Sequence, residues 1–333
     1  MDVVRLTRQL VDIDSTTGHE LAVGEFLLQE LRQLGFHAEA MPVEASRSNV
    51  VAKSAGNDKP QLFFSTHMDT VPPFIASSQD ERNISGRGAC DAKGIIAAQV
   101  AAALRLRSEG IAVGLLFTVG EERDSIGALE ANKHSPRPRF LINGEPTENK
   151  LALASKGALR IELTAMGRMA HSAYPELGES AINKLIRALV RLLEMQLPVD
   201  PEIGASTLNI GIIEGGRAMN VIADFARAEL LYRMVDDSTE LKQQISAAIE
   251  GLCEARILLD TPAVRLRTLP GRPTMIASFT TDIPSLTNWG EPLLVGPGSI
   301  HVAHTEGEFI AKSELFAAID VYCDLARRLL AIA

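Results

Sequence analysis

The sequence predicts an α/β protein: a discontinuous α/β domain with a mixed sheet, interrupted by a smaller inserted α+β domain of ferredoxin-like order. Two observations carry this. In residues 1–156 and 268–333, short apolar runs of strand length alternate with helical periodicity, the pattern of a sheet covered on both faces. Between 157 and 267 the order becomes strand, helix, strand, strand, helix, strand, which is the split βαβ unit. A chain of 333 residues, 46% of them hydrophobic, is long enough to bury two cores.

Taken in order, Val3 to Leu34 has apolar residues at helical spacing, interrupted by Asp14-Ser15-Thr16-Thr17-Gly18 and closed by Gly35, so it reads as two helices. Strand-like runs follow at Ala38 to Val43, Asn49 to Ala52, Gln61 to Thr66, Val113 to Val119 and Phe140 to Asn143, with an alanine-rich helix from Gly94 to Arg107 among them. The inserted series reads as strand Ala158 to Ala165, helix Glu179 to Met195, strands Ser206 to Ile213 and Ala226 to Val235, helix Ser238 to Glu254 and strand Ala263 to Arg267. The α/β style then resumes with strand Pro292 to Val295, the turn Gly296-Pro297-Gly298 and a closing helix from Ser313 to Ile332. There is no internal repeat and no low-complexity tract.

Composition removes several function classes. Acids outnumber bases 42 to 33 for a formal charge of −9, and no basic run is long enough to track a phosphate backbone, so nucleic acid is an unexpected partner. The N-terminus lacks the apolar core of a signal peptide and no apolar run reaches the ~20 residues of a membrane span, so a cytoplasmic protein is expected. Cys90, Cys253 and Cys323 are odd in number and far apart, which argues against a disulfide framework or a cysteine metal knot. Any metal must be held by histidine and carboxylate.

Such residues stand at strand ends, where open α/β sheets place their sites. Leu62-Phe63-Phe64 leads into Ser65-Thr66-His67-Met68-Asp69, and in a strand His67 and Asp69 point to the same side. Asp91 lies in the glycine-rich run Gly86 to Gly94 just before a helix, where it could bridge a ligand or simply cap the helix. Glu121 and Glu122 end the run Leu115 to Gly120; neighbouring side chains diverge, so one can bind a metal while the other faces a water, or both are solvated loop acids. Glu145 ends Phe140 to Gly144, and His301 and His304 follow Gly296-Pro297-Gly298. Each residue alone has an ordinary explanation, but strand after strand ending in histidine or carboxylate does not. Two histidines and three carboxylates make a sensible ligand set for a pair of borderline divalent ions.

The ordered set STHMDTVP, GRGACDAKG, GEE, NGEPT and GPGSI followed by HTEGE resembles the M20 family of metallopeptidases and deacylases, which includes acetylornithine deacetylase and succinyl-diaminopimelate desuccinylase. The resemblance runs over essentially the whole chain. By matching position it implies that Asp91 bridges two divalent ions, zinc with cobalt or manganese as substitutes. His67 and Glu145 would complete one metal site, Glu122 and His304 the other. Asp69 would orient His67, and Glu121 would be the general base. Thr305 and Glu308 match the family's spacing after its ligand histidine, which favours His304 over His301.

The resemblance also makes residues 157–267 a lid and dimerisation domain, with 1–156 and 268–333 as the metal-binding domain. Gly167 to Pro175 matches the lid stretch whose histidine helps hold the developing oxyanion, in many members from across a dimer interface, which makes His171 a catalytic candidate. Asn220, Tyr174, Arg233 and Thr280 fall where the family contacts substrate, Arg233 as a clamp for a carboxylate or as an ordinary surface residue. Cys90 beside the bridging aspartate, Ala223 where a proline is frequent, and a chain short for the family depart from the common pattern without removing a ligand. The implied activity is removal of an acetyl or succinyl group from an N-acyl amino acid such as acetylornithine, acetyllysine or succinyl-diaminopimelate, by a homodimer. An exopeptidase acting on di- or tripeptides is the alternative, and a silent metal-binding scaffold a more distant one.

Overall fold

Leu62–His67, Gly114–Thr118 and Phe140–Asn143 are buried along their whole length, and in the computed structural model they lie side by side as parallel strands. Glu291–Leu294 joins them in parallel beyond Phe140–Asn143. Arg47–Ser54 runs antiparallel on the other flank and Phe36–Glu44 closes that edge, giving a mixed six-stranded sheet. The structure describes residues 1–54, 56 and 59–331.

Side chains alternate across this sheet with period two, and each face has its own core. Leu62, Phe64, Leu115, Phe117 and Ile142 meet the helices Val3–Val11, Lys93–Ser108 and Lys312–Ala331. Phe63, Leu116 and Leu141 meet Ala128, Ala131, Leu286 and Trp289 on the opposite face. There the Trp289 ring stands edge-on to Phe63 at 5.1 Å, and its Nε1–H donates to the Ala131 carbonyl at 3.1 Å. Lys93–Ser108 is buried on nearly every side, which its alanines permit, since they let it approach both the sheet and the closing helix. The helix Ile126–Lys133 on the second face is not anticipated from sequence; its eight residues are too few to establish a period. The closing helix runs Lys312–Ala331, and Ile332, its expected last residue, lies outside the described residues.

The chain divides into two units: 1–153, 266–275 and 281–333 in the larger, 154–265 and 276–280 in the smaller. The segment 276–280, read from sequence with the larger domain, belongs to the smaller unit, and Thr280 with it.

The smaller unit has a four-stranded antiparallel sheet in the order Thr207–Gly215, Phe225–Met234, Gly157–Met166, Glu254–Thr261, the ferredoxin-like order. Its helices Ala181–Leu193 and Thr239–Ile249 cover one face, where Leu159, Ile161, Leu163, Ala226, Ala228 and Leu230 pack on Leu185, Leu189, Leu241 and Ile245. The second helix ends earlier than the expected Glu254, because Gly251 takes a left-handed φ of +72°. The fourth strand is therefore Glu254–Thr261, not Ala263 to Arg267; only Val264–Arg265 of that stretch is extended, and it pairs elsewhere. An edge position with one covered face explains why this strand's apolar pattern is weak.

Candidate metal centre

The four parallel strands deliver their carboxyl ends to one rim, and the residues just beyond those ends converge. His67 is the last residue of its strand, Glu121 and Glu122 follow Gly114–Thr118, Glu145 follows Phe140–Asn143, and His304 lies in the loop after Glu291–Leu294. Asp91 comes from the loop ahead of helix Lys93–Ser108. That loop is tight: Gly88 has φ +83°, and a Cβ there would meet Thr70 at 2.8 Å and Lys93 at 2.9 Å.

The two oxygens of Asp91 face different histidines. Its Oδ1 is 3.0 Å from His67 Nε2 and its Oδ2 is 3.5 Å from His304 Nε2. His304 Nε2 also lies 3.0 Å from Glu122 Oε1. Ligand atoms of His67, Asp91 and Glu122 fall within 4.8 Å of one another. His304 reaches this point from a left-handed backbone, φ +63°, uncommon for a residue with a side chain. The rival His301 takes part in none of these contacts among the described residues. The donor set fits divalent cations, because a carboxylate with both oxygens turned to separate imidazoles is the shape of a bridging ligand.

Asp69 is fully buried, and its carboxylate serves both His67 and the acid pair. His67 Nδ1 lies 3.0 Å from the main-chain carbonyl of Asp69 and 3.5 Å from its carboxylate. The carboxylate accepts the N–H groups of Glu121 at 3.1 Å and Glu122 at 3.2 Å, and the Thr17 hydroxyl at 2.8 Å. It thereby fixes the backbone of the acid pair.

The electrostatics are those of crowded anions. Burial, then the charge of Glu145, pushes Glu121 well above the usual carboxylate range. Glu145 is raised likewise by burial and by Asp91, and no hydrogen bond to either side chain is found among the described residues. Glu122 is raised by burial, with the His304 hydrogen bond working against it. Burial alone would raise Asp91, but hydrogen bonds from His304 and His67 hold it low. In return Asp91 and Glu122 lift His304 to about 10. Burial would lower His67, and Asp69 and Asp91 override it.

In the smaller unit, segment 168–174 runs against 220–222: the Ser172 N–H donates to the Asn220 carbonyl at 3.0 Å and the Ile222 N–H to the Ala170 carbonyl at 2.9 Å. This gathers His171, Tyr174 and Asn220 on one exposed surface. His171 Nδ1 accepts the Ala173 N–H at 3.1 Å, which leaves Nε2 as the donor, and its ring is 6.0 Å from that of Tyr174. Arg233, on Phe225–Met234, reaches Thr280 Oγ1 at 3.5 Å.

Comparison with known proteins agrees with this architecture. The family profile described as the peptidase dimerisation domain matches residues 153–257. A peptidase M20 domain-containing protein of Schizosaccharomyces pombe is 37% identical over 332 residues, covering 96% of this chain and 83% of that protein. The chain belongs to the M20 peptidase family. A probable carboxypeptidase of Aspergillus clavatus is 35% identical to this M20 chain over 366 residues, covering 96% of it and 81% of the relative. Among solved structures, a tripeptidase from Staphylococcus aureus shares the fold at a TM-score of 0.82 and 23% identity, covering 98% of each chain.

Two residues of the M20 chain that hold the centre together escape sequence reasoning as site residues. Thr17 supports Asp69, and Glu308 accepts the N–H groups of Cys90 and Asp91. The signals were present as a threonine-rich loop and as the last acid of HTEGE, but neither motif says that a main-chain N–H is the partner.

Proposed function

We propose that this M20 chain is a metal-dependent amide hydrolase that works as a homodimer and removes residues from short peptides in the manner of a carboxypeptidase. The observation that carries the reading is the convergence of His67, Asp91, Glu122 and His304, with Glu121 and Glu145 beside them, beyond the carboxyl ends of adjacent parallel strands. In this reading His67 and Glu145 hold one ion, Glu122 and His304 the other, and Asp91 lies between. Mixed imidazole and carboxylate donors make zinc the expected metal, with cobalt or manganese able to replace it. Two ions held there would lower the pKa of a water and polarise a scissile carbonyl.

The remaining work falls to side chains. Glu121 is free of the ligand set, its backbone is held by Asp69, and burial makes it a stronger base than an exposed glutamate. It takes a proton from the attacking water and passes it to the leaving nitrogen. His171 offers Nε2–H to the carbonyl oxygen as negative charge develops, from the same chain or from the second copy. Arg233 pairs with the substrate carboxylate next to Thr280, and Asn220 and Tyr174 line the substrate near His171.

The homodimer is supported by the matched dimerisation domain and by its unpaired surface. Ile186, Val190 and Leu193 form an exposed apolar stripe on Ala181–Leu193, and Ile212 and Ile213 are exposed on the edge strand Thr207–Gly215. Free Cys90, Cys253 and Cys323 support a reducing compartment such as the cytoplasm. No helix among the described residues is long and apolar enough to cross a membrane.

The names of the relatives favour peptides over N-acyl amino acids. The test is a panel of dipeptides, tripeptides, acetylornithine, acetyllysine and succinyl-diaminopimelate, with metal-stripped and zinc- or cobalt-loaded protein. Metal-dependent release of C-terminal residues is expected. Release of acetate or succinate instead would replace the peptide reading with deacylation, and a loaded protein inert to the whole panel would favour a binding scaffold.

A further inference from the structure

Glu308 and Arg87 form a buried ion pair that the catalytic reading does not use. Arg87 Nη1 donates to Glu308 Oε2 at 2.7 Å, and the two side chains are 2% and 1% exposed. A buried pair of this kind adds little stability by itself, because desolvation offsets the attraction. Its second oxygen is more informative. Glu308 Oε1 accepts two consecutive main-chain N–H groups, those of Cys90 and Asp91, each at 3.1 Å. The Glu308 carbonyl accepts a third, from Gly86, at 3.0 Å.

Register explains the arrangement. Phe309–Ala311 pairs antiparallel with Asn83–Ser85, Phe309 opposite Ser85, so the ladder runs out just as the chain reaches Glu308 on one side and Gly86 on the other. Beyond that last backbone bond, from the Gly86 N–H to the Glu308 carbonyl, the Glu308 carboxylate takes over and grips the loop that carries Asp91. Its own loop carries His304 four residues earlier, whose Nε2 lies 3.5 Å from Asp91 Oδ2. One side chain therefore ties together two loops, and each loop supplies one residue of the candidate metal centre.

We propose that Glu308 is a positioning residue: by accepting the Cys90 and Asp91 N–H groups it sets the Asp91 carboxylate between His67 and His304, while Arg87 balances the buried charge. The inference rests on the metal-centre reading above. It predicts that what matters at 308 is an acceptor oxygen at the right reach, more than a charge.

The test uses the full chain, stripped of metal and titrated with cobalt(II) while the visible absorption spectrum is recorded. Two double variants remove the ion pair together, so that no buried charge is stranded: Arg87→Met with Glu308→Gln, which keeps an acceptor oxygen, and Arg87→Met with Glu308→Leu, which does not. The Leu pair should bind cobalt roughly 10- to 100-fold more weakly than the parent, as for other residues that support metal ligands, with a changed spectrum at saturation. The Gln pair should stay close to the parent in both. Parent-like cobalt binding and spectrum in a folded Leu pair would overturn the proposal, as would equal weakening in both pairs. Should the Leu pair not fold, Glu308→Asp, which keeps the charge but withdraws the oxygen by one methylene, decides in its place: weaker cobalt binding supports the proposal and unchanged binding defeats it. A parent that takes up no cobalt would defeat the metal-centre reading along with this one, whereas normal uptake by every variant would defeat this one alone.

Discussion

Glutamate is used in opposite ways in the two units. Glu145, at the carboxyl end of a parallel strand, is 4% exposed, finds no hydrogen-bonding partner among the described residues and is pushed well above the usual carboxylate range. Glu162, on the open face of the smaller sheet, lies 2.9 Å from Arg256 and 3.2 Å from Arg227, which hold it below that range. The second arrangement is a surface whose charges alternate: Arg160 meets Glu229, and Arg227 also meets Glu214 at 2.8 Å. The first crowds Asp91, Glu121, Glu122 and Glu145 together with two histidines. A fold keeps such repulsion only where something repays it, so strain of this kind points to chemistry while neutrality points to solubility.

Breaking the crowded region at the base should give the largest effect. Glu121→Ala should keep its metal content, because Glu121 is outside the proposed ligand set, while kcat falls by ~10²–10⁴ or more. Metal analysis alongside turnover checks it; an active Glu121→Ala protein would remove the assigned base. His171→Ala should also be severely impaired, by roughly 10²–10³ in kcat if its Nε2–H is the oxyanion donor. Mixing the two inactive variants then asks where His171 acts. If it works across the dimer, random exchange of subunits restores about a quarter of the sites. If it works within its own chain, mixing restores none.

Removing the metal sharpens the comparison on stability. Divalent ions that bind only the folded chain add roughly 3 kcal/mol at a free concentration about one hundred times Kd, so chelation should lower Tm. In the metal-free protein, Glu121, Glu122 and Glu145 titrate above their ordinary 4.5. Such groups bind more protons folded than unfolded; their contribution is full below about 4.5 and is lost as pH rises through the raised values. His67 and His304 act in the same sense, keeping their contribution below 6.5 and losing it at higher pH, His304 through about 10. Asp69 and Asp91, held low, oppose this only below their ordinary 3.8. Metal-free Tm should therefore fall between about pH 5 and pH 8, while the gain on adding metal grows over the same window because the ligands must shed protons. A thermal-shift series with and without chelator reads both, and a metal-free Tm that rises over this window would contradict the charge balance.

Most of the larger unit is legible in the sequence because its signal is local. An apolar run that stops at His67, at Glu121 or at Glu145 announces both the strand and its functional end. What escaped depends on partners distant in sequence. Asp69 reads as the orienter of His67, two residues away, but nothing in the sequence says that its carboxylate also holds the N–H groups of residues 121 and 122. Glu308 grips N–H groups 218 and 217 residues earlier. A main-chain donor has no residue type, so no motif records it. In the smaller unit the difference is of another kind. The pattern of the helix Thr239–Ile249 reads on to Glu254 and hides the strand Glu254–Thr261, because an edge strand half open to water needs no clean alternation.

That open face supplies the smallest expected effect, and with it the other half of the comparison. Glu162→Gln removes the carboxylate between Arg227 and Arg256, yet both arginines remain solvated and Arg227 keeps Glu214. Exposed pairs gain little over hydration and are screened by salt. Tm should shift by much less than on chelation, and the difference should shrink further in high salt. Turnover should not change, since Glu162 has no part in the proposed chemistry. If Glu162→Gln instead cost as much stability as metal removal, the alternating lattice would be a structural element of the smaller unit, and neutrality there could no longer be read as mere solubility.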